Sequence, residues 1–292
     1  MKKNIKPLVT AIAFFAAVAL FGVNSANAQI DLLHQTCQAD TNPLLATSGP
    51  NTVGAGHLQL SGALTWDYLG FESTLIAIEG DYQQQQVNHN TYGAGVGLRY
   101  GLGRYFELNA SVDGTYSHSI INFNDTSVNP VNEYGQAFSP CIGAKFYFYQ
   151  GGGEPWMPRM ALAAGLRTLM SVHNDRFDVN YYLAPRLDLQ FRNRLGRRWT
   201  LDYSVGVDAA PTRLGVRSRY GFIRYSLFAR WLTTDRLLFS AGVENGDGRL
   251  EMLYQAKPDL QLSAQAGISA TAGLEMGMLQ THAAVGVNWM LK

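Results

Sequence analysis

Between Val179 and Phe191 hydrophobic and polar side chains alternate almost without a break. Val179, Tyr181, Leu183, Pro185, Leu187, Leu189 and Phe191 share one parity; Asn180, Tyr182, Ala184, Arg186, Asp188, Gln190 and Arg192 share the other. Successive side chains of a strand point to opposite sides, so the stretch reads as one strand with an oily face and a charged face. Its length separates it from an ordinary strand. Soluble strands run about 5–6 residues, whereas a tilted strand crossing a bilayer needs about 9–11. The pattern predicts a membrane-spanning barrel strand with Arg186, Asp188 and Arg192 turned toward a lumen.

The same alternation recurs along the chain. It begins at Gly56 with Leu58, Leu60, Leu64 and Trp66 on the oily parity, and returns with Tyr92, Val96, Leu98 and Tyr100 against Gly93, Gly95, Gly97 and Arg99. It continues through Phe106–Val112, Ile142–Phe148, Met160–Leu166, Trp199–Val207 and Ile223–Trp231. Weaker segments follow near 235–243, 249–255, 259–269 and 280–291. This predicts an all-β, transmembrane, antiparallel up-and-down β-barrel of roughly 12 strands over 54–292, an even number as in bacterial outer-membrane barrels. Tight connections are expected near Leu102-Gly103, Leu195-Gly196, Thr234-Asp235 and Lys257-Pro258, and long ones at 69–91 and 117–136. Short periplasmic turns and longer outer loops would put both chain ends on the periplasmic side.

Aromatic residues sort into two levels on the oily parity. Tyr100, Phe106, Phe148, Phe191, Trp199, Trp231 and Trp289 stand beside the tight turns; Trp66, Tyr68, Tyr92 and Tyr181 stand at the other ends. Two girdles are what amphipathic rings form at the two headgroup levels. A soluble β-sandwich also alternates but explains neither the strand lengths nor the girdles. Closure satisfies every backbone group in lipid.

Ahead of the barrel, Lys2, Lys3 and Lys6 precede an apolar run from Leu8 to Val23 and then Ala26-Asn27-Ala28. That order predicts a cleaved secretory signal peptide over 1–28. Residues 29–53 carry little periodicity and are expected to form a non-strand segment. Charged residues are 15% of the chain and aromatics 12%, against about 25% charged in average proteins. A formal net charge of +1 argues against a nucleic-acid partner. The expected surroundings are outer-membrane lipid, the barrel assembly machinery during biogenesis and a small solute, with the protein a monomer.

Chemical motifs are scarce. No GxSxG, HExxH, P-loop or CxxC pattern occurs, and neither a metal nor a cofactor is expected. The best local cluster for a lipid hydrolase is Ser171, His173 and Asp175. Strand residues two apart are separated by roughly 6.6 Å and cannot form a triad by themselves. Asn245-Gly246-Asp247-Gly248 lacks the further acidic ligands of a calcium loop and reads as a hairpin turn. The lumen is where function is expected. Lys145, Arg159, Arg167, Arg186, Arg192, Arg224 and Arg230 oppose Glu107, Asp113, Asp188, Asp202, Asp208 and Glu251, with Tyr147, Tyr149, Tyr182, Phe222 and Phe228 on the same parity. Two readings stay open: a satisfied ion-pair network filling a narrow barrel, or a charged eyelet that selects solutes.

Inward Gly93, Gly95 and Gly97 also admit two readings. A glycine row marks close approach by another backbone, or it makes room for large side chains opposite, such as Arg186 or Tyr182. The first reading makes 29–53 a candidate lumen plug. Cys141 has inward parity and Cys37 lies in that segment, so a Cys37–Cys141 disulfide would tie the plug in place. On the chain-entropy account it would contribute about 4–5 kcal/mol.

Three stretches carry a family resemblance: Asn51-Thr-Val-Gly-Ala-Gly-His-Leu-Gln-Leu60, Leu98-Arg-Tyr-Gly-Leu-Gly-Arg-Tyr-Phe-Glu-Leu108 and Trp231-Leu-Thr-Thr-Asp-Arg236. They resemble the outer-membrane barrel family named after the meta-pathway of phenol degradation. The resemblance implies traffic in small organic compounds and supplies no catalytic or binding motif. It departs from the usual aromatic barrel terminus, because Met290-Leu291-Lys292 follows Trp289. The function expected is passage or binding of small solutes without catalysis, the alternative being a structural or surface-interaction barrel acting through its outer loops.

Overall fold

The structure, a computed structural model, describes residues 50–76, 82–124, 129–149, 157–173, 176–209, 223–269 and 279–291. They form twelve strands: β1 (Leu58–Ile76), β2 (Tyr82–Gly101), β3 (Phe106–Phe123), β4 (Val131–Tyr149), β5 (Arg159–His173), β6 (Arg176–Arg194), β7 (Trp199–Asp208), β8 (Ile223–Thr234), β9 (Leu237–Glu244), β10 (Asp247–Lys257), β11 (Leu260–Ser269) and β12 (Leu279–Leu291). Each pairs antiparallel with its sequence neighbour, and β1 pairs with β12, so the sheet closes on itself. Leu58 sits opposite both Tyr100 and Leu291. The turns at 102–105, 195–198, 235–236 and 258–259 lie at this terminal end, as expected. At the opposite, loop end, Asn245 and Gly246 take φ of 52° and 92° and join Glu244 to Asp247 in a two-residue hairpin. Positive φ at both central positions is what a type I′ turn requires.

The long connections expected at 69–91 and 117–136 are largely strand. β1 runs to Ile76 and β2 starts at Tyr82; β3 runs to Phe123 and β4 starts at Val131. In consequence β1 to β6 are 15 to 20 residues long, while β7 to β12 are 8 to 13. One half of the wall stands taller than the other at the loop end. The physical reason is that ladder hydrogen bonds need no apolar face. Above lipid both faces meet water, so Gln83, Gln84, Gln85 and Gln86 keep pairing with β1 after the alternation has stopped.

Bilayer contact sets the outer face. Leu64, Val96, Ile142 and Leu250 are each more than 60% exposed, and an apolar surface this extensive belongs against lipid. Rings stack along the terminal-end girdle, Trp199 on Trp231 at 5.7 Å and Phe191 on Tyr203 at 4.9 Å. On the loop side Trp66 Nε1 donates to Asn90 Oδ1 and Tyr68 Oη to Asn88 Oδ1. Those polar tips turn toward the taller, water-facing part of the wall.

The expectation for the inward glycines is settled at their own positions. A Cβ on Gly93, Gly95 or Gly97 would strike Thr65 Oγ1, Asp113 Oδ1 or Ser61 Oγ from the adjacent strands. The row makes room for the side chains of Thr65, Asp113 and Ser61 on the adjacent strands. Close backbone approach occurs instead at Gly101, whose Cβ would meet the Gly54 carbonyl. There Gly56 N donates to Gly101 O at 2.8 Å and Gly101 N to His57 O at 3.0 Å.

Candidate functional site

The barrel interior is charged and tightly paired. At the terminal end Glu107 is fully buried and receives Arg99 through both oxygens, each at 2.9 Å, with Lys145 Nζ at 3.8 Å. The segment entering β1 is seated on this cluster. Val53 N donates to Glu107 Oε2 at 3.0 Å, while Arg99 Nη2 and Lys145 Nζ both donate to the Asn51 carbonyl. Residues 50–53 thus cover part of the terminal mouth. Residues 1–49, with the signal-peptide and plug expectations and Cys37, lie outside the described residues.

A second cluster joins β6, β7, β8 and β10. Arg192 Nε and Nη2 hold the two oxygens of Asp202 at 2.6 Å each, and Arg230 reaches Asp202 at 2.9 Å and Glu251 at 3.6 Å. Arg192 is 1% exposed, so only this bidentate geometry makes its burial tolerable. A third cluster sits nearer the loop end. Arg167 and Arg224 converge on Asp208 at 3.1 and 3.6 Å, and Glu244 links Arg224 to Arg249. Arg186 Nε donates to Asp188 Oδ2 at 2.6 Å. All these groups lie on the inward parity of their strands.

Of the inward aromatics, Tyr147 and Phe228 are buried, and Phe228 lies over Gly242 where a Cβ would touch its ring. Both fill volume. The side chain of Tyr182, and Phe222 altogether, lie outside the described residues. Cys141 faces the lumen half-exposed and has no disulfide partner among the described residues. The periodicity did not reveal an apolar contact of Leu232, Leu238 and Leu253 inside the terminal end. These leucines share the parity of the charged residues, so alternation alone reads them as errors.

A cluster formed across strands was also hidden from sequence reasoning. His89 Nδ1 lies 2.6 Å from Ser119 Oγ and its Nε2 3.0 Å from Thr91 Oγ1, while His282 Nδ1 lies 2.7 Å from Asp67 Oδ1. His89 is bracketed by two hydroxyls and has no orienting carboxylate at hydrogen-bond distance. The nearby backbone N–H groups belong to ladder strands, which leaves no preformed oxyanion donors. Ser171 and His173 remain two positions apart on β5, and Asp175 lies outside the described residues. No group of His, Cys, Asp and Glu among the described residues is arranged to hold a metal. A concavity of about 550 Å³, lined by Tyr92, Ala94, Gly114, Tyr116 and Phe138 among others, opens on the outer face.

An apolar outer belt around a polar, ion-paired interior defines the class: a transmembrane β-barrel closed by 12 antiparallel strands. A solved structure shares this fold. The outer membrane channel from Pseudomonas putida F1 superposes with a TM-score of 0.52 at 10% identity, covering 87% of this chain and 100% of that one. The Pseudomonas putida toluene transporter TodX gives 0.43 at 9% identity, with 87% and 94% covered. The Ralstonia pickettii toluene transporter TbuX gives 0.42 at 7% identity, with 87% and 94% covered. No family model and no curated protein matches the chain.

Proposed function

We propose that this protein is an outer-membrane channel that passes small organic solutes through its lumen and does no chemistry on them. The observation that carries this is exposed charge on the inward face of the barrel. Asp113 pairs in register with inward Gly95 and Ser139, yet it is exposed. Arg186, also inward, has a side chain 39% exposed. Charged groups reach solvent in this way only where the lumen admits water. The outer membrane channel from Pseudomonas putida F1, which shares the fold, supports the same reading.

On this reading residues 1–28 are the export signal, and 29–53 approach the lumen from the periplasmic mouth. The loop end faces outward. The closed ring leaves no strand edge within the lipid-facing band, which favours a monomer in outer-membrane lipid after delivery by the barrel assembly machinery. Purified protein in planar bilayers should show discrete conductance steps, and protein-loaded liposomes should take up small solutes. Absence of both would overturn the channel reading. It would favour a surface-interaction barrel, for which the tall β1 to β6 wall supplies the contact face.

A further inference from the structure

The outer wall of β2 to β4 changes character in regular steps toward the loop end. Ala94, Gly114 and Phe138 stand side by side in register on the lipid-facing parity. A Cβ on Gly114 would find its nearest neighbour, the Ala94 carbonyl, only at 4.0 Å. These two small residues floor the outer concavity of about 550 Å³. One outward rung on, Tyr92, Tyr116 and Gln136 edge it. The next outward rung aligns Asn90, His118 and Tyr134, just beyond the level of Trp66 and Tyr92. Each such step rises about 6.8 Å along a strand, so the groove floor and the His118 rung lie about 14 Å apart.

The rings beyond the groove form a platform. His118 lies flat on Tyr134, with centroids 4.6 Å apart and planes 2° from parallel, and Tyr116 stacks on the same Tyr134 at 6.3 Å. Tyr134 is 50% exposed and Tyr116 41%. Amides of a neighbouring strand hold the ring tips. His118 Nε2 lies 3.1 Å from Asn132 Oδ1, and Trp66 and Tyr68 donate to Asn90 and Asn88 at 3.3 and 2.9 Å. A ring held by its edge keeps its face turned to the surroundings. Charge is nearly absent: among the described residues of β1 to β4 on the loop side of the groove there is no Lys or Arg, and Glu72 is the one outward carboxylate.

A phosphate headgroup is recognised through Arg or Lys, and this wall offers neither. Flat rings and amides fit a sugar instead. Its C–H faces pack on the rings, and its hydroxyls exchange hydrogen bonds with amide groups. The groove below continues the lipid-contact belt, with exposed Leu64 and Val96 beside it, so an acyl chain is what meets it. Tyr116 belongs to both parts and joins them into one site. We propose that the outer wall of β2 to β4 binds a membrane glycolipid with an uncharged sugar headgroup. Its chain lies in the Ala94–Gly114 groove and its sugar on the His118–Tyr134 platform. The site faces lipid and does not depend on whether the lumen conducts.

Diglucosyl diacylglycerol is the probe, with phosphatidylcholine of the same acyl chains as the comparison. The protein is placed in nanodiscs holding the two lipids in equal amounts, and native mass spectrometry counts the lipids it retains. The glycolipid should be retained about tenfold over phosphatidylcholine. Tyr134→Ala should cut that preference about fivefold or more, as loss of an aromatic anchor does at an interface. Tyr134→Phe keeps the ring and should keep the preference. Gly114→Leu fills the groove and should lower retention of the glycolipid with the platform intact. Should Tyr134→Ala fail to fold, His118→Ala removes the other half of the stack and should give the same fall. Equal retention of the two lipids by the unaltered protein, or an unchanged preference in the ring variants, overturns the site. In a second nanodisc, phosphorylated lipid A replaces phosphatidylcholine. Retention of lipid A ahead of the diglucosyl lipid would mark a phosphate-reading surface and overturn the uncharged headgroup.

Discussion

At the residue scale, Glu107 does most to fix the terminal mouth. It is fully buried, takes a bidentate Arg99, lies near Lys145, and accepts the Val53 amide. Removing one partner of a buried ion pair leaves uncompensated charge, at a cost of about 3–5 kcal/mol. Glu107→Gln would leave the half-buried Arg99 and the buried Lys145 sharing one neutral amide. Its urea midpoint in lipid vesicles, followed by tryptophan fluorescence, should fall accordingly, and protease should cleave near residues 50–57. An unchanged midpoint with the segment still protected would show that the cluster does not hold it. Parity alone places Glu107, Arg99 and Lys145 inside the barrel. Their convergence on Asn51 was not legible, because no period links a non-strand segment to strands 48 and 94 residues away.

At the element scale, the outcome turns on where alternation ends. Strand number and the terminal-end turns were readable, since each lipid-crossing stretch must show one oily face. The upper halves of β1 to β4 were not readable. Trp66 and Tyr92 mark the edge of the lipid band rather than the ends of strands, and β2 continues from Tyr92 back to Tyr82. The orientation has a direct test. Both native cysteines are replaced by serine, then Asn129→Cys is introduced beside the β3–β4 connection and Arg197→Cys in the β6–β7 turn, both exposed positions. An impermeant maleimide should label the first on intact cells and spare the second. Labelling in the opposite sense would invert the barrel.

At the scale of the whole molecule, the remaining question is how the segment before Pro50 relates to the lumen. Residues 50–53 are already drawn onto the mouth by Arg99, Lys145 and Glu107, and Cys141 faces the interior above them. Unfolded, unreduced protein should titrate no free thiol if Cys37 and Cys141 are joined; two thiols end that proposal. Where the bond exists, reduction should raise solute flux, and unchanged flux would leave a staple that does not obstruct the path.

What the sequence determined by itself is the barrel: a period of two, strands too long for a soluble sheet, aromatic levels at two heights, and the sign of each lumen position. These follow from local rules, because every residue of a crossing strand faces either lipid or interior. The tertiary structure alone decided which charges meet. Arg167, Arg186 and Arg224 look equivalent along the chain. Only the strand register gives Asp208 to the first and third and puts Gly165 beside the second. Register depends on the relative offset of neighbouring strands around a closed ring, and alternation carries no information about that offset.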